Sequence, residues 1–191
     1  NFIGLELDGK TAGIVGLGRV GQEVAKRFLS LGMNIVAFDP YISQDRADQL
    51  GITLMDLPTC MDHADVLTIH TPLTPETKDL IGKEELTKLK GGYLINCARG
   101  GIVNEPALAE AISDGVLAGA AIDVFSEEPV SPDNPLLGLQ NVIVTPHLGA
   151  STEAAQENVS LDIAKQIIAA LDGSPVENSL NSPSIDEVTF S

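Results

Sequence analysis

Apolar runs rich in β-branched residues alternate along this chain with stretches of helical periodicity. TAGIVGL (11–17) predicts a buried strand. RVGQEVAKRFLSLG (19–32) sets Val20, Val24, Phe28 and Leu31 at helical spacing, and Gly32 closes it. NIVAF (34–38) predicts the next strand, stopped at Asp39-Pro40 because proline cannot donate to a ladder. SQDRADQLG (43–51) predicts a short helix between a serine cap and a glycine. Further strands are predicted at ADVLTIH (64–70), GYLINC (92–97), LAGAAIDVF (117–125) and NVIVT (141–145). NEPALAEAISDG (104–115) predicts a helix with Asn104 as cap, a proline in its first turn and Gly115 at its end. A last helix over about 151–171 carries Ala155, Val159, Ile163, Ile167 and Leu171 on one face. This order is the signature of βαβ units around a parallel sheet.

DGSPVENSLNSPS (172–184) is polar and rich in Ser, Asn and Pro, which reads as a linker. The expected organisation is one domain over 1–172, followed by a connecting segment over 173–191. There is no internal repeat.

Composition narrows the function classes. The 191 residues hold 27 acidic and 11 basic side chains, a formal net charge of −16. A field of that sign repels nucleic acid and anionic membrane, and an anionic substrate would need a local basic anchor. No apolar run nears the ~18 residues of a membrane span. Two cysteines, Cys60 and Cys97, form neither a disulfide framework nor a CxxC metal pair, so a reducing, cytoplasmic setting without a bound metal is expected. Seven aromatic residues and no tryptophan argue against a base-stacking surface. The chain opens on Asn1 with no signal pattern, and the expectation is a piece of a longer protein.

Gly16, Gly18 and Gly21 form G-x-G-x-x-G between the first strand and the first helix, with an acid following at Asp39. The first glycine permits the tight turn, the second lets backbone approach a pyrophosphate, and the third lets helix pack close to strand. The helix N-terminus adds amides and partial positive charge. Asp39 can accept from an adenosine ribose and repels the extra phosphate of NADP, and Pro40-Tyr41 brings no compensating arginine, so NAD is the expected cofactor. In such sheets ligands sit beyond the carboxyl ends of the strands. Asp39, Thr71, Arg99, Asp123 and His147 all fall at or just past a predicted strand end, and five on one rim point to a site.

Arg99 offers a planar fork for a carboxylate and is the basic anchor an acidic chain needs. Oxidising a secondary alcohol with NAD requires a base for the hydroxyl proton, and imidazole suits that role. His147 and His70 both end strands, and spacing does not separate them. His63, in an acidic helical turn, reads as a solvated surface residue. Glu128 in SEEP reads alone as an ordinary loop glutamate.

VGLGRVGQEVAKR, HTPLTPETKDLI, INCARGGIVNEPAL, AAIDVFSEEP and TPHLGASTEAAQ together resemble the D-isomer-specific 2-hydroxy acid dehydrogenases, over roughly residues 2–184. The resemblance implies a Rossmann-type doubly wound parallel sheet in three αβα layers. It implies a catalytic trio of Arg99 on the substrate carboxylate, His147 as acid/base and Glu128 as its partner. It assigns His70 and Thr71 to the cofactor wall, and Gly16, Gly18, Arg19, Val20 and Gly21 to the pyrophosphate turn. Asp39 falls at the ribose and Asp123 at the carboxamide. Cys97, Ala98 and Arg99, with His147, Leu148, Gly149 and Ala150, complete the cofactor contacts. Cys97 then contributes backbone rather than a reactive thiol. The resemblance further implies a small anionic 2-hydroxy acid substrate and a homodimer formed through this domain. It also implies a second, substrate-binding lobe lying outside the chain, so that the piece alone would bind NADH but turn over little. GASTEAAQ and VENSLN lean toward the branch that takes a phosphorylated hydroxy acid. The nearer alternative is another D-2-hydroxy acid dehydrogenase, a glyoxylate/hydroxypyruvate reductase or a D-lactate dehydrogenase. The more distant one is an NAD-sensing corepressor on the same fold, which keeps the same trio.

Overall fold

The computed structural model describes residues 4–176 and residue 179. The chain divides into two compact units, Asn1–His147 and Leu148–Ser191. In the first unit the order is β1 (Thr11–Val15), α1 (Arg19–Ser30), β2 (Asn34–Phe38), α2 (Gln44–Gln49), β3 (Thr53–Leu54), α3 (Leu57–His63) and β4 (Val66–Ile69). It continues with α4 (Lys83–Leu86), β5 (Tyr93–Asn96), α5 (Glu105–Ser113), β6 (Gly119–Ile122) and β7 (Val142–Val144).

The seven strands form one sheet in the order β3-β2-β1-β4-β5-β6-β7, and all pairs are parallel. Parallel neighbours need crossovers, which the helices supply. Side chains alternate between the two faces. Ala12 and Ile14 of β1 pack with Ile35, Ala37 and Ala25 in one cluster. Val15 packs with Met61, Leu67, Leu94 and Leu108 in the other. Each such Val, Ile, Leu or Met side chain contributes about 1.5–3 kcal/mol by leaving water, and each alanine less. The first unit is therefore three-layered, as the resemblance implies.

The strand ends share one row, because Val15 pairs with Phe38 and Ile69, Ile69 with Asn96, Asn96 with Ile122, and Ile122 with Val144. Whatever follows those residues emerges along a single edge.

Three elements escape the sequence pattern. β3 has two residues at the sheet margin, too short to show alternation. α3 and α4 are short helices, set by local caps rather than by a long amphipathic face. Asp56 caps α3 by accepting the Thr59 amide at 2.8 Å. The strands predicted over 64–70 and 117–125 are trimmed to β4 and β6, because their last residues leave the ladder to build the edge. Asn104 caps α5 as expected, accepting from the Ala107 amide at 3.0 Å.

The second unit holds α6 (Glu153–Leu171), capped by Thr152 accepting the Ala155 amide at 3.1 Å. No residue of α6 is buried, its apolar face included. The linker predicted over 172–184 lies mostly outside the described residues.

Candidate active site

The glycine turn follows from steric necessity. Gly16 adopts φ +95°, and a Cβ there would meet the His70 carbonyl at 2.9 Å. A Cβ on Gly21 would sit 2.0 Å from the Gly16 carbonyl, so only glycine lets α1 approach the turn. Gly18 differs: nothing lies within 4 Å of its would-be Cβ, and it caps α1 without a side chain. The helix start is therefore open to an anion. Arg19 and Val20 follow at the first turn, with Val20 exposed.

This turn borders a cleft of about 630 Å³ that also meets Asp39, His70, Thr71 and Thr77. Asp39 is fixed by backbone. Its Oδ2 accepts the Leu17 amide at 2.7 Å, and its Oδ1 accepts those of Tyr41 at 2.8 Å and Ile42 at 3.3 Å. Arg46 also lines the cleft, its guanidinium donating to Gln22 Oε1 at 3.1 Å. No arginine is adjacent to Asp39 in sequence. α2 brings this one in from seven residues away, and only its cap at Ser43 hinted at that approach. The Thr71 hydroxyl is buried beside the turn without a partner, a polar atom that a ligand would satisfy. Uncapped amides, an open Gly18 and an orphaned hydroxyl in one cleft fit the diphosphate and ribose of a dinucleotide.

Further along the edge stand the chemical groups. Arg99 follows β5, exposed, with its guanidinium on the Ala98 carbonyl at 2.6 Å and no ion pair to an acid among the described residues. Asn96 shapes its loop, accepting from the Ala98 amide and donating to the Arg99 carbonyl, each at 3.0 Å. Cys97 is exposed, and burial of its surroundings pushes the thiol above its usual range, with the Asp123 charge adding to the effect. Asp123 is buried after β6 and accepts the Thr145 hydroxyl. Its carbonyl accepts the His147 amide at 2.9 Å.

His147 Nδ1 lies 2.7 Å from Glu128 Oε2, and Glu128 Oε1 accepts the Phe125 amide at 3.0 Å. The bond to His147 and the Phe125 amide hold the Glu128 carboxyl below its usual range. The side chains are 43% and 38% exposed, so a small molecule can reach them. His147 adopts φ +53°. A non-glycine residue in that region is strained, and such strain gathers at functional positions. His70 has a different setting. Its Nε2 bonds the Thr68 hydroxyl at 3.0 Å, burial pushes its pKa down, and no carboxylate among the described residues pairs with it. His63 ends α3, exposed, against the Thr59 carbonyl. Leu148, Gly149 and Ala150 belong to the second unit, where Ala150 has φ +65°.

The sheet order and the glycine turn define a dinucleotide-binding α/β domain, and the Glu128–His147 pair adds acid/base chemistry to its ligand edge. Residues 1–149 match the family model of the D-isomer specific 2-hydroxyacid dehydrogenase NAD binding domain. The chain therefore belongs to that family and carries its NAD-binding domain. It is similar to the D-3-phosphoglycerate dehydrogenase of Archaeoglobus fulgidus, 54% identical over 99% of this chain and 36% of that protein. The enzyme of the same name from Bacillus subtilis is 47% identical over the same shares, 99% and 36%. The chain thus spans about a third of the length of these relatives. Among solved structures it resembles the NAD-complexed D-isomer specific 2-hydroxyacid dehydrogenase of Lactobacillus delbrueckii ssp. bulgaricus, with TM-score 0.84, 30% identity, and coverage of 94% of this chain and 58% of that one.

Proposed function

We propose that this chain is the NAD-binding, proton-transferring lobe of a D-3-phosphoglycerate dehydrogenase, which oxidises D-3-phosphoglycerate to 3-phosphohydroxypyruvate in L-serine biosynthesis. The observation that carries the chemistry is the Glu128–His147 pair, 2.7 Å apart on the same sheet edge as the glycine turn and Arg99. The substrate rests on relatives of that name at about half identity over nearly the whole chain.

Arg99, held to no acid, takes the substrate carboxylate through its paired N–H groups. His147 donates Nδ1–H to Glu128, which leaves the Nε2 lone pair to accept the hydroxyl proton. Glu128 orients the ring and stabilises the imidazolium that forms. NAD, when bound, would supply the hydride acceptor, and the residues that would hold it are Gly16, Gly18, Arg19, Val20, Gly21, Asp39, Thr71, Cys97, Ala98 and Asp123. The remaining substrate contacts belong to a second lobe of the longer protein. The whole protein acts as a cytoplasmic homodimer associating through this domain. The two unpaired thiols support the compartment, and sedimentation equilibrium tests the dimer.

The test is NAD reduction by the full-length protein with D-3-phosphoglycerate, D-lactate, D-glycerate and 2-hydroxyglutarate. Preference for phosphoglycerate, lost by about a hundredfold or more in His147→Ala, is the expected result. Tight NADH binding without turnover of any acid overturns it in favour of a cofactor-sensing binding protein.

A further inference from the structure

Two acidic side chains are buried among the described residues, Asp123 and Glu105. Asp123 belongs to the cofactor edge. Glu105 has no place in the chemistry above, yet it is 7% exposed at the first turn of α5. Its Oε1 accepts the Ser126 amide at 2.6 Å, and its Oε2 accepts Asn134 Nδ2 at 2.5 Å. Ser126 and Asn134 stand on either side of Glu128 in the connection between β6 and β7. One residue before Ser126, the Phe125 amide donates to Glu128 itself.

The same backbone touches the loop bearing Arg99. A Cβ on Gly100 would come 1.7 Å from the Phe125 carbonyl oxygen and 2.6 Å from the Ser126 nitrogen. Glu105 thus sits where the Arg99 loop runs into α5, and it grips the segment that packs against that loop. Burying a carboxylate is costly unless its oxygens are bonded, and here both bonds go to this one loop. A merely space-filling residue at this position would be apolar.

We infer that Glu105 is a positioning residue: its buried carboxylate clamps Ser126 and Asn134 so that Glu128 meets His147, and it fixes that pair relative to Arg99. A displacement of about 1 Å in such a constellation costs on the order of a hundredfold in rate. The kinetic part rests on the hydroxy-acid reading, whereas the positional part does not.

The experiment uses the full-length protein with Glu105→Gln, Asn134→Ala, and the double variant Glu105→Gln with Asn134→Asp. Glutamine still accepts from Ser126 but turns a donor toward the Asn134 amide. Aspartate at 134 restores an acceptor there and can still take the Leu136 amide, which Asn134 Oδ1 now accepts at 3.0 Å. Three quantities are read: kcat/KM for the hydroxy acid, Kd for NADH, and the Glu128 carboxyl titration by 13C NMR. In Glu105→Gln, kcat/KM falls about tenfold or more while Kd for NADH stays within about twofold. The Glu128 titration moves up toward the ordinary carboxylate range. The double variant returns both toward wild type, and Asn134→Ala, which cuts one end of the clamp only, moves them part of the way. Parallel loss of NADH binding and turnover, or an unmoved Glu128 titration, overturns the proposal. If the wild type oxidises no hydroxy acid, the functional reading fails alone, and the titration still decides the clamp.

Discussion

His147 is held in a left-handed backbone conformation, at φ +53°, by its amide on the Asp123 carbonyl and its ring on Glu128. Neither restraint is visible in the string TPHLGA. Histidine and strand end were legible there; spacing left His147 and His70 open, the family resemblance implied His147 with Glu128, and the fold is what brings that carboxylate across 19 residues. The two titrating groups also shape stability against pH. The folded-state pKa of Glu128 is depressed, so its contribution is present above the unfolded value near 4.3 and is lost as pH falls through the lower folded value. Partial burial of His70 favours its neutral form, so folding is disfavoured once the unfolded imidazole gains a proton below about 6.5. Both effects have the same sign. The melting temperature of the chain should fall as pH goes from 7.5 to about 3, and His70→Gln should flatten the upper part of that slope. A melting temperature independent of pH across that range would contradict both assignments.

At the scale of elements, the strand–turn–helix at residues 11–30 shows how one motif divides between folding and binding. Gly21→Ala drives a Cβ into the Gly16 carbonyl and should cost about 1–3 kcal/mol of stability while displacing the turn. Gly18→Ala meets open space, so its melt should be unchanged and its loss should appear in NADH affinity alone. Thermal melts beside NADH titrations check the pair, and equal destabilisation by both variants would refute the division. The long periodic elements of the first unit, α1 and α5, were legible because each buries a stripe against the sheet. β3 and α4 were not, because two- and four-residue elements carry no period and exist only where neighbours complete them.

Over the whole molecule, a charge of −16 means that an anionic ligand would need a local cation, and Arg99 stands on the strand-end edge without an acidic partner among the described residues. The thiols follow from the packing. Cys60 lies buried on α3, and burial pushes it up to about 12, while Cys97 is exposed and raised by its own partial burial and the Asp123 charge. Iodoacetamide at pH 8 should therefore label Cys97 slowly and Cys60 only after unfolding, as peptide mass mapping would read. Rapid labelling of either would mean a thiolate the surroundings do not support. The sheet supplies the frame for all of this, since one register aligns six strand ends and brings Asp39, Thr71, Arg99, Asp123 and His147 to a common edge.

The sequence by itself determined the alternation of strand and helix, the glycine turn, the acid after β2 and the polar residue at each strand end. These are local: each follows from a period, a cap or a φ that one residue type permits. Packing alone put Glu128 at 2.7 Å from His147, brought Arg46 to the cleft and set the Leu17 amide on Asp39. It also decided that Glu105 grips the loop of Glu128. Those relations join residues distant in sequence, and no spacing along the chain encodes a distance that only the packing of sheet against helix creates.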